Sequence, residues 1–172
     1  MTWTAPEVTR PGGSPAAGER ALLTGLLAWH RSTLLHKCAG LTGEQLAERS
    51  VPPSDLSLLG LIRHLAKVER IWFRERFAGQ DVPRLHSTEE RGNADFEEAD
   101  PARAAEDYAL LLEEQRLADE VVAGASLDDT FTGDDGETYS LRFIHLHLIG
   151  EYARHNGHAD LVRERVDGVT GG

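Results

Sequence analysis

Four long segments of this chain place their apolar side chains at helical spacing, and this pattern constrains the fold more than any other feature. In the first segment Leu23, Leu27 and Leu34 fall on one face of a helix because they are separated by four and by seven residues. Helices are predicted over residues 19–38, 56–77, 101–122 and 140–166. Since no series of strands accompanies them, the sequence predicts an all-α four-helix bundle.

The segments between these helices carry the signals of turns and loops. Val51-Pro52-Pro53 breaks the chain between the first two helices. Residues 80–99 are polar and aperiodic, and a loop of that length inside a compact domain is often functional. Residues 126–139, which contain the sequence Gly133-Asp134-Asp135-Gly136, predict a turn or a short hairpin. The expected organisation is an extended arm over 1–18, a bundle domain over 19–168 and a tail over 169–172.

Charge and cysteine content exclude several classes of function. The 172 residues include 18 basic and 29 acidic side chains, which gives a net charge of −11. Nucleic acids and anionic membranes attract clustered positive charge, so neither is an expected partner. Cys38 is the only cysteine, which excludes an internal disulfide. Because there is neither a run of about 18 apolar residues nor a signal-peptide pattern, we expect a soluble, cytoplasmic protein.

The fourth predicted helix carries a stripe of ionisable side chains. At 100° per residue, His147, Glu151, Arg154, His155 and His158 fall within about 100° of one another. A carboxylate and an imidazole four residues apart, such as Glu151 and His155, can converge on one cation because their Cβ atoms lie about 6 Å apart. One such pair is expected by chance in this composition. A third ligand from another helix is therefore needed to define a metal site.

His64 is the best candidate for that third ligand. It lies in the middle of the second predicted helix, on the stripe with Leu61, Val68 and Trp72, and should face the bundle interior. Two imidazoles and one carboxylate leave the fourth position of a tetrahedral metal open, as in catalytic zinc sites. The alternative is that His64 forms only a hydrogen bond in the core.

Three other residues of the stripe are candidates for catalytic or supporting roles. His147 and His158 could serve as ligands, could orient a ligand, or could transfer a proton. Arg154 could neutralise Glu69 or Glu151, or could bind an anionic group of a substrate. The ion pair is the favoured interpretation of Arg154.

The remaining histidines, cysteine and acidic runs have simpler interpretations. His30 lies on the apolar stripe of the first helix and is expected to be a hydrogen-bonded core residue or a group that supports a metal ligand. His36 and His86 are expected to be solvated. Cys38 is expected to be a small core residue rather than a nucleophile, because no base or basic cluster adjoins it. The pair Glu113-Glu114 is expected on the solvated face of its helix.

Two motifs give the chain a resemblance to a known superfamily. The stretch LSLLGLIRHLAKVERIWF (56–73) and, about 75 residues later, HLIGEYARHNGHADLVRE (147–164) resemble the DinB-like superfamily of four-helix metal proteins. The resemblance covers residues 19–168 and is strongest to the small actinobacterial branch labelled mini-circle protein. It implies a four-helix bundle of the DinB/YfiT-like type.

The resemblance also implies a metal site. Many members of the superfamily use one histidine from the second helix and an H-x-x-x-H pair from the fourth. His64 matches the first position, Glu151 replaces the first histidine of the pair, and His155 keeps the second. The same set occurs in the metal-binding domain of mycothiol-dependent maleylpyruvate isomerases. A divalent metal on His64, Glu151 and His155 is thus implied, with zinc expected and nickel or iron as alternatives.

The function implied by the resemblance is transfer of a thiol to a small electrophile. A low-molecular-weight thiol such as mycothiol would bind the open metal position and react as a thiolate. The isomerases carry a further C-terminal domain, so their own reaction is not expected of this sequence. The alternatives are a metal-dependent hydrolase and a non-catalytic stress or resistance protein that sequesters a metal or small ligand. A homodimer is the default expectation for the oligomeric state.

Overall fold

The computed structural model describes residues 2–87 and 91–171. Their helices are α1 (Glu19–Cys38), α2 (Gly43–Ala47), α3 (Leu58–Glu69), α4 (Ala94–Glu97), α5 (Ala104–Val122) and α6 (Leu141–Asp167). A π-helical segment, Arg70–Phe77, continues α3, and the 3-10 turn Pro101–Arg103 leads into α5. Two short antiparallel strands, β1 (Thr130–Thr132) and β2 (Thr138–Ser140), precede α6.

The four long helices α1, α3, α5 and α6 form the predicted bundle of the DinB-like type, and the all-α prediction is confirmed. Helix α1 packs along α6, and α3 packs against both α5 and α6. The core between them consists of fully buried aliphatic side chains that include Leu34, Leu61, Leu111, Ile144 and Leu148. This packing brings the polar stripe of α6 to the edge of α3.

Side-chain caps determine where α3 and α6 begin. Ser57 accepts a hydrogen bond from the Gly60 amide at 3.0 Å, and Ser140 accepts one from the Phe143 amide at 3.2 Å. Such caps satisfy amide groups that have no partner within the helix. Gly168 ends α6 with a φ of 80°, which a residue without a Cβ adopts readily. These boundaries agree with the predicted ones to within two residues.

The predicted second helix is not a regular α-helix throughout. From Arg70 to Phe77 the chain widens to a π-helix, and the Ala78 amide donates to the Phe73 carbonyl five residues earlier. The wider turn directs Arg70 and Arg74 toward Glu114 on α5. Glu114 is only 1% exposed, so the prediction of a solvated Glu113-Glu114 pair is wrong for Glu114.

The segments outside the bundle are partly ordered against it. The predicted 80–99 loop contains α4, while its residues 88–90 lie outside the described part of the chain. The predicted hairpin over 126–139 is confirmed, with Phe131 opposite Tyr139. Within the predicted arm, Ala5 is buried, and its amide donates to the Leu41 carbonyl at 2.9 Å. The arm therefore packs against its own domain.

No helix within residues 2–87 and 91–171 combines the length and the apolarity that are needed to cross a membrane. The longest, α6 with its 27 residues, carries the histidines and charged residues of the stripe along one side.

Candidate metal centre

The packing of α3 against α6 brings His64, Glu151 and His155 together. Glu151 Oε2 lies 3.8 Å from His64 Nε2 and 3.5 Å from His155 Nε2. One potential ligand atom from each residue lies within 4.8 Å of the other two. Glu151 and His155 are one turn apart on α6, and His64 faces them from the middle of α3. Three donors from two helices thus converge on one point.

The spacing and chemistry of these donors fit one divalent cation. Ligand atoms at bond lengths of about 2.0–2.2 Å on a tetrahedral zinc lie about 3.3–3.6 Å apart. The nitrogen–oxygen separation of 3.5 Å already lies in that range, and the separation of 3.8 Å needs only a small closure to reach it. Imidazole nitrogen and carboxylate oxygen are ligands that zinc and neighbouring divalent metals accept. His155 is 5% exposed, whereas His64 and Glu151 are half-buried, so one side of the cluster faces solvent.

Asp95 on α4 orients His64. Its Oδ2 accepts a hydrogen bond from His64 Nδ1 at 2.9 Å and lies 2.5 Å from Lys67 Nζ. With Nδ1 protonated, the lone pair of His64 Nε2 points toward Glu151, which is how a carboxylate commonly fixes a metal-binding histidine. Burial alone would raise the pKa of Asp95, but the bonds from His64 and Lys67 lower it overall, so this carboxyl stays ionised.

Sequence analysis did not identify Asp95. The residue lies in the polar 80–99 segment among several other acidic side chains, and no periodic pattern distinguishes it from them. Only its burial, at 1% exposure, and its contact with His64 identify its role.

His158 stands beside His155 but does not join the three converging donors. The Nδ1 atoms of the two rings are 3.3 Å apart, while His155 Nε2 faces Glu151. A proton on His155 Nδ1 can therefore be donated to His158, which leaves the His155 Nε2 lone pair free. Among the described histidines, cysteines and acidic residues, no fourth joins the cluster.

Electrostatics keep His155 in the form that can bind a metal. Burial, together with the charge of the neighbouring His64, lowers the pKa of His155 to about 4, because the opposing effect of Glu151 is smaller. The His155 ring is consequently neutral near pH 7. A neutral imidazole offers a lone pair, whereas an imidazolium would repel a cation.

His147 belongs to an aromatic cluster next to the donors. Its ring centre lies 4.4 Å from that of Trp72 and 5.8 Å from that of Phe143, with which it stacks. Arg76 covers Trp72 at 4.4 Å. Burial lowers the pKa of His147, and Glu151 one turn away only partly offsets this effect. The result is a largely apolar aromatic wall that bears one neutral imidazole, with the Trp72 ring tilted against the other two.

Arg154 does not form the predicted ion pair. Its side chain is exposed, and no described carboxylate lies within ion-pair distance of it. Glu69 is instead engaged by Arg31, with two bonds of 2.7 Å between the guanidinium and the carboxylate. The pairing prediction is wrong because Glu69 points into the centre of the bundle while Arg154 points away from it.

Predictions for the other histidines and for Cys38 have mixed outcomes. His30 is half-buried and contacts Asn156, as expected for a hydrogen-bonded residue. His86 is not solvated: its side chain is 11% exposed and Nε2 lies 3.9 Å from Asp107. Burial lowers the pKa of His86 to about 4. Cys38 is fully buried, and burial raises its pKa to about 12, which confirms its interpretation as a core residue.

Comparison with known proteins identifies the family. The sequence model of the mycothiol S-transferase family matches residues 22–168, which is most of the chain. No curated protein and no solved structure shows a match. The family is part of the DinB-like superfamily, in agreement with the fold and with the two motifs that contain the three donors. The chain belongs to the mycothiol S-transferase family.

Proposed function

We propose that this protein is a divalent-metal-dependent S-transferase that joins the sulfur of mycothiol, or of a closely similar thiol, to a small electrophile. The observation that carries the proposal is the convergence of His64 Nε2, His155 Nε2 and Glu151 Oε2, with one side open to solvent. Family membership supplies the class of thiol. The reaction forms a carbon–sulfur bond, breaks the bond from carbon to its leaving group, and releases the thiol proton.

Each residue of the cluster has a defined task in this proposal. His64, Glu151 and His155 would hold the metal, with Asp95 and His158 orienting the two imidazoles. When bound, zinc or a related ion supplies Lewis acidity that lowers the pKa of a coordinated thiol. The open side admits the thiol. Two neutral imidazoles and one carboxylate would leave a divalent cation with a net charge of +1, which attracts a thiolate.

The aromatic wall provides a surface on which the electrophile would bind. The rings of Trp72, Phe143 and His147 form a continuous surface, of which His147 lies one helical turn from Glu151. Such a surface packs against a planar or apolar molecule and excludes water from the sulfur that attacks it. His147, neutral because of its burial, can accept the thiol proton.

Two alternatives make different predictions at the same cluster. A sequestering protein would close the fourth position with a protein ligand, but His158 contacts the Nδ1 side of His155 rather than the converging donors. A hydrolase would use water in place of the thiol. The open side is compatible with both water and thiol, so the S-transferase proposal rests on the family for this choice.

The test combines metal content with product analysis. Protein purified without a histidine tag is analysed for metals, then assayed with mycothiol and chlorodinitrobenzene. The matched variants are His155→Ala, and His36→Ala as a control outside the cluster. We expect one equivalent of a divalent metal and thioether formation in the wild type and in the control, and the loss of both in His155→Ala.

Three results would contradict the proposal. Stoichiometric metal in His155→Ala would show that the ligand set is wrong. A wild-type protein that takes up no metal even on addition would leave a hydrogen-bonded cluster. Consumption of the electrophile without consumption of thiol would indicate hydrolysis.

A further inference from the structure

A cavity that is separate from the metal centre lies between α1 and α5. Its lining also includes His145, on the side of α6 that points away from the metal centre. Its volume is about 610 Å³, which is within the range of small-molecule sites. The arm residues Gly12–Ser14 cover one side, and His145 of α6 lines another. His145 and His147 are two residues apart on α6 and therefore point to nearly opposite sides. None of His64, Glu151 and His155 contributes to this cavity.

His145 presents an unpaired nitrogen to this cavity. The residue is only 2% exposed, and its Nδ1 donates to the Leu141 carbonyl at 3.0 Å. Its Nε2 has no hydrogen-bond partner among the described residues, although the ring lines the cavity. Burial lowers the pKa of His145, with Arg20 adding to the effect, so Nε2 is an unprotonated acceptor. This nitrogen is therefore available to a hydrogen-bond donor within the cavity.

Arg20 is the cation of the cavity whose charge no described carboxylate neutralises. Arg31 also lines the space, but its guanidinium is bound by Glu69 and by Asp119. Arg20 donates one hydrogen bond of 2.6 Å to the Ala125 carbonyl. No carboxylate in the described ranges lies within ion-pair distance of Arg20. Its remaining donors are therefore available to an anion.

Gly25 keeps the space between these groups open. It lies in the middle of α1, where glycine is unfavourable because of its backbone entropy. A Cβ built at Gly25 would meet nothing within 4 Å, so no close packing of another segment requires the glycine. The residue lines the cavity. Leu27 and Val122 provide apolar walls on either side.

We propose that this cavity, here called the seam cavity, binds a small aromatic acid that carries a hydroxyl group. Arg20 pairs with the carboxylate, His145 Nε2 accepts the hydroxyl hydrogen, and the ring packs against Leu27 and Val122. The combination follows from one unneutralised cation, one unpaired acceptor and apolar walls. The site is separate from the metal centre and does not depend on the function proposed for it.

The test is calorimetric titration of the full-length, metal-loaded protein with three probes. Para-hydroxyphenylacetate carries both polar groups, phenylacetate lacks the hydroxyl, and para-cresol lacks the carboxylate. We expect one equivalent of para-hydroxyphenylacetate to bind, and each incomplete probe to bind about tenfold more weakly, as for the loss of one buried hydrogen bond or charge pair.

Two variants locate the binding. Gly25→Leu fills the cavity from a position where the added side chain has room and where helix propensity improves, so the fold should be retained. We expect it to abolish binding of all three probes. Arg20→Gln should weaken the two acids about tenfold and leave para-cresol unchanged. Thermal unfolding of each variant verifies that it is folded.

One control separates the seam cavity from the metal centre, because a carboxylate can also ligate a metal. His155→Ala should bind para-hydroxyphenylacetate as the wild type does. Loss of binding in His155→Ala together with full binding in Gly25→Leu would assign the probe to the metal centre and overturn the proposal. Absence of binding to the wild type at millimolar concentrations would also overturn it.

Discussion

Replacing Asp95 with asparagine tests whether the donor cluster depends on the carboxylate behind His64. Asp95 Oδ2 accepts from His64 Nδ1 at 2.9 Å and also faces Lys67. Asparagine is nearly the same size and can still accept a hydrogen bond from His64, but it carries no charge. The substitution thus removes the electrostatic part of the interaction and leaves the shape almost unchanged.

The expected loss of metal affinity is tenfold to a hundredfold, or about 1.4–2.7 kcal/mol. The lower limit corresponds to a weaker hydrogen bond that still fixes the ring, and the upper limit to the loss of one charge-assisted bond, about 1.5–3 kcal/mol. Burial of Asp95, at 1% exposure, places the effect toward the upper limit because water does not screen the interaction.

The assay is competition for zinc between the protein and a chromophoric chelator at neutral pH. Asp107→Asn is the matched control, since Asp107 is also 1% exposed and also pairs with a cation, Arg63, but contacts none of the three donors. A folded Asp95→Asn protein with wild-type affinity would refute the role of Asp95. An equal loss in Asp107→Asn would show that the effect is one of general stability.

Three further predictions concern the bundle itself. Glu69→Gln should lower the free energy of unfolding by up to about 3–5 kcal/mol, because it leaves the buried Arg31 with only the exposed carboxylate of Asp119; a loss below about 1 kcal/mol in urea titrations would contradict this. Cys38, whose pKa burial raises to about 12, should react with iodoacetamide at pH 8 only after denaturation, and rapid labelling of the native protein would show that the thiol is accessible. His86, whose pKa burial lowers to about 4, should contribute stability that is present above its unfolded value near 6.5 and is lost as the pH falls toward 4. His86→Gln should flatten that part of the stability profile, and an unchanged slope would refute the assignment.

The fold could be predicted because its signals are local. Helical spacing of Leu23, Leu27 and Leu34, together with serine caps and a terminal glycine, determines where helices form and which faces are apolar. Each of these signals acts within one or two turns of the chain. The same locality explains why Glu151 and His155 could be assigned to one face of α6.

The convergence of that pair with His64 was a prediction about packing, and the stripe on which His64 lies gave it a physical basis. Periodicity indicates that a side chain faces inward, but not what it meets there. The contact with Asp95 comes from a short helix in a segment that has no period at all.

Only the tertiary structure decided which charged residues are buried. Glu113 and Glu114 are adjacent and chemically identical, yet Glu113 lies on the surface with Arg116, while Glu114 is enclosed by Arg70 and Arg74 from the π-helical segment. The reason is that burial of a charge is stable only when a partner neutralises it, and these partners are about 40 residues away in the sequence. The chain by itself therefore determined its helices and the candidate donors, and the packing of distant segments determined their partners.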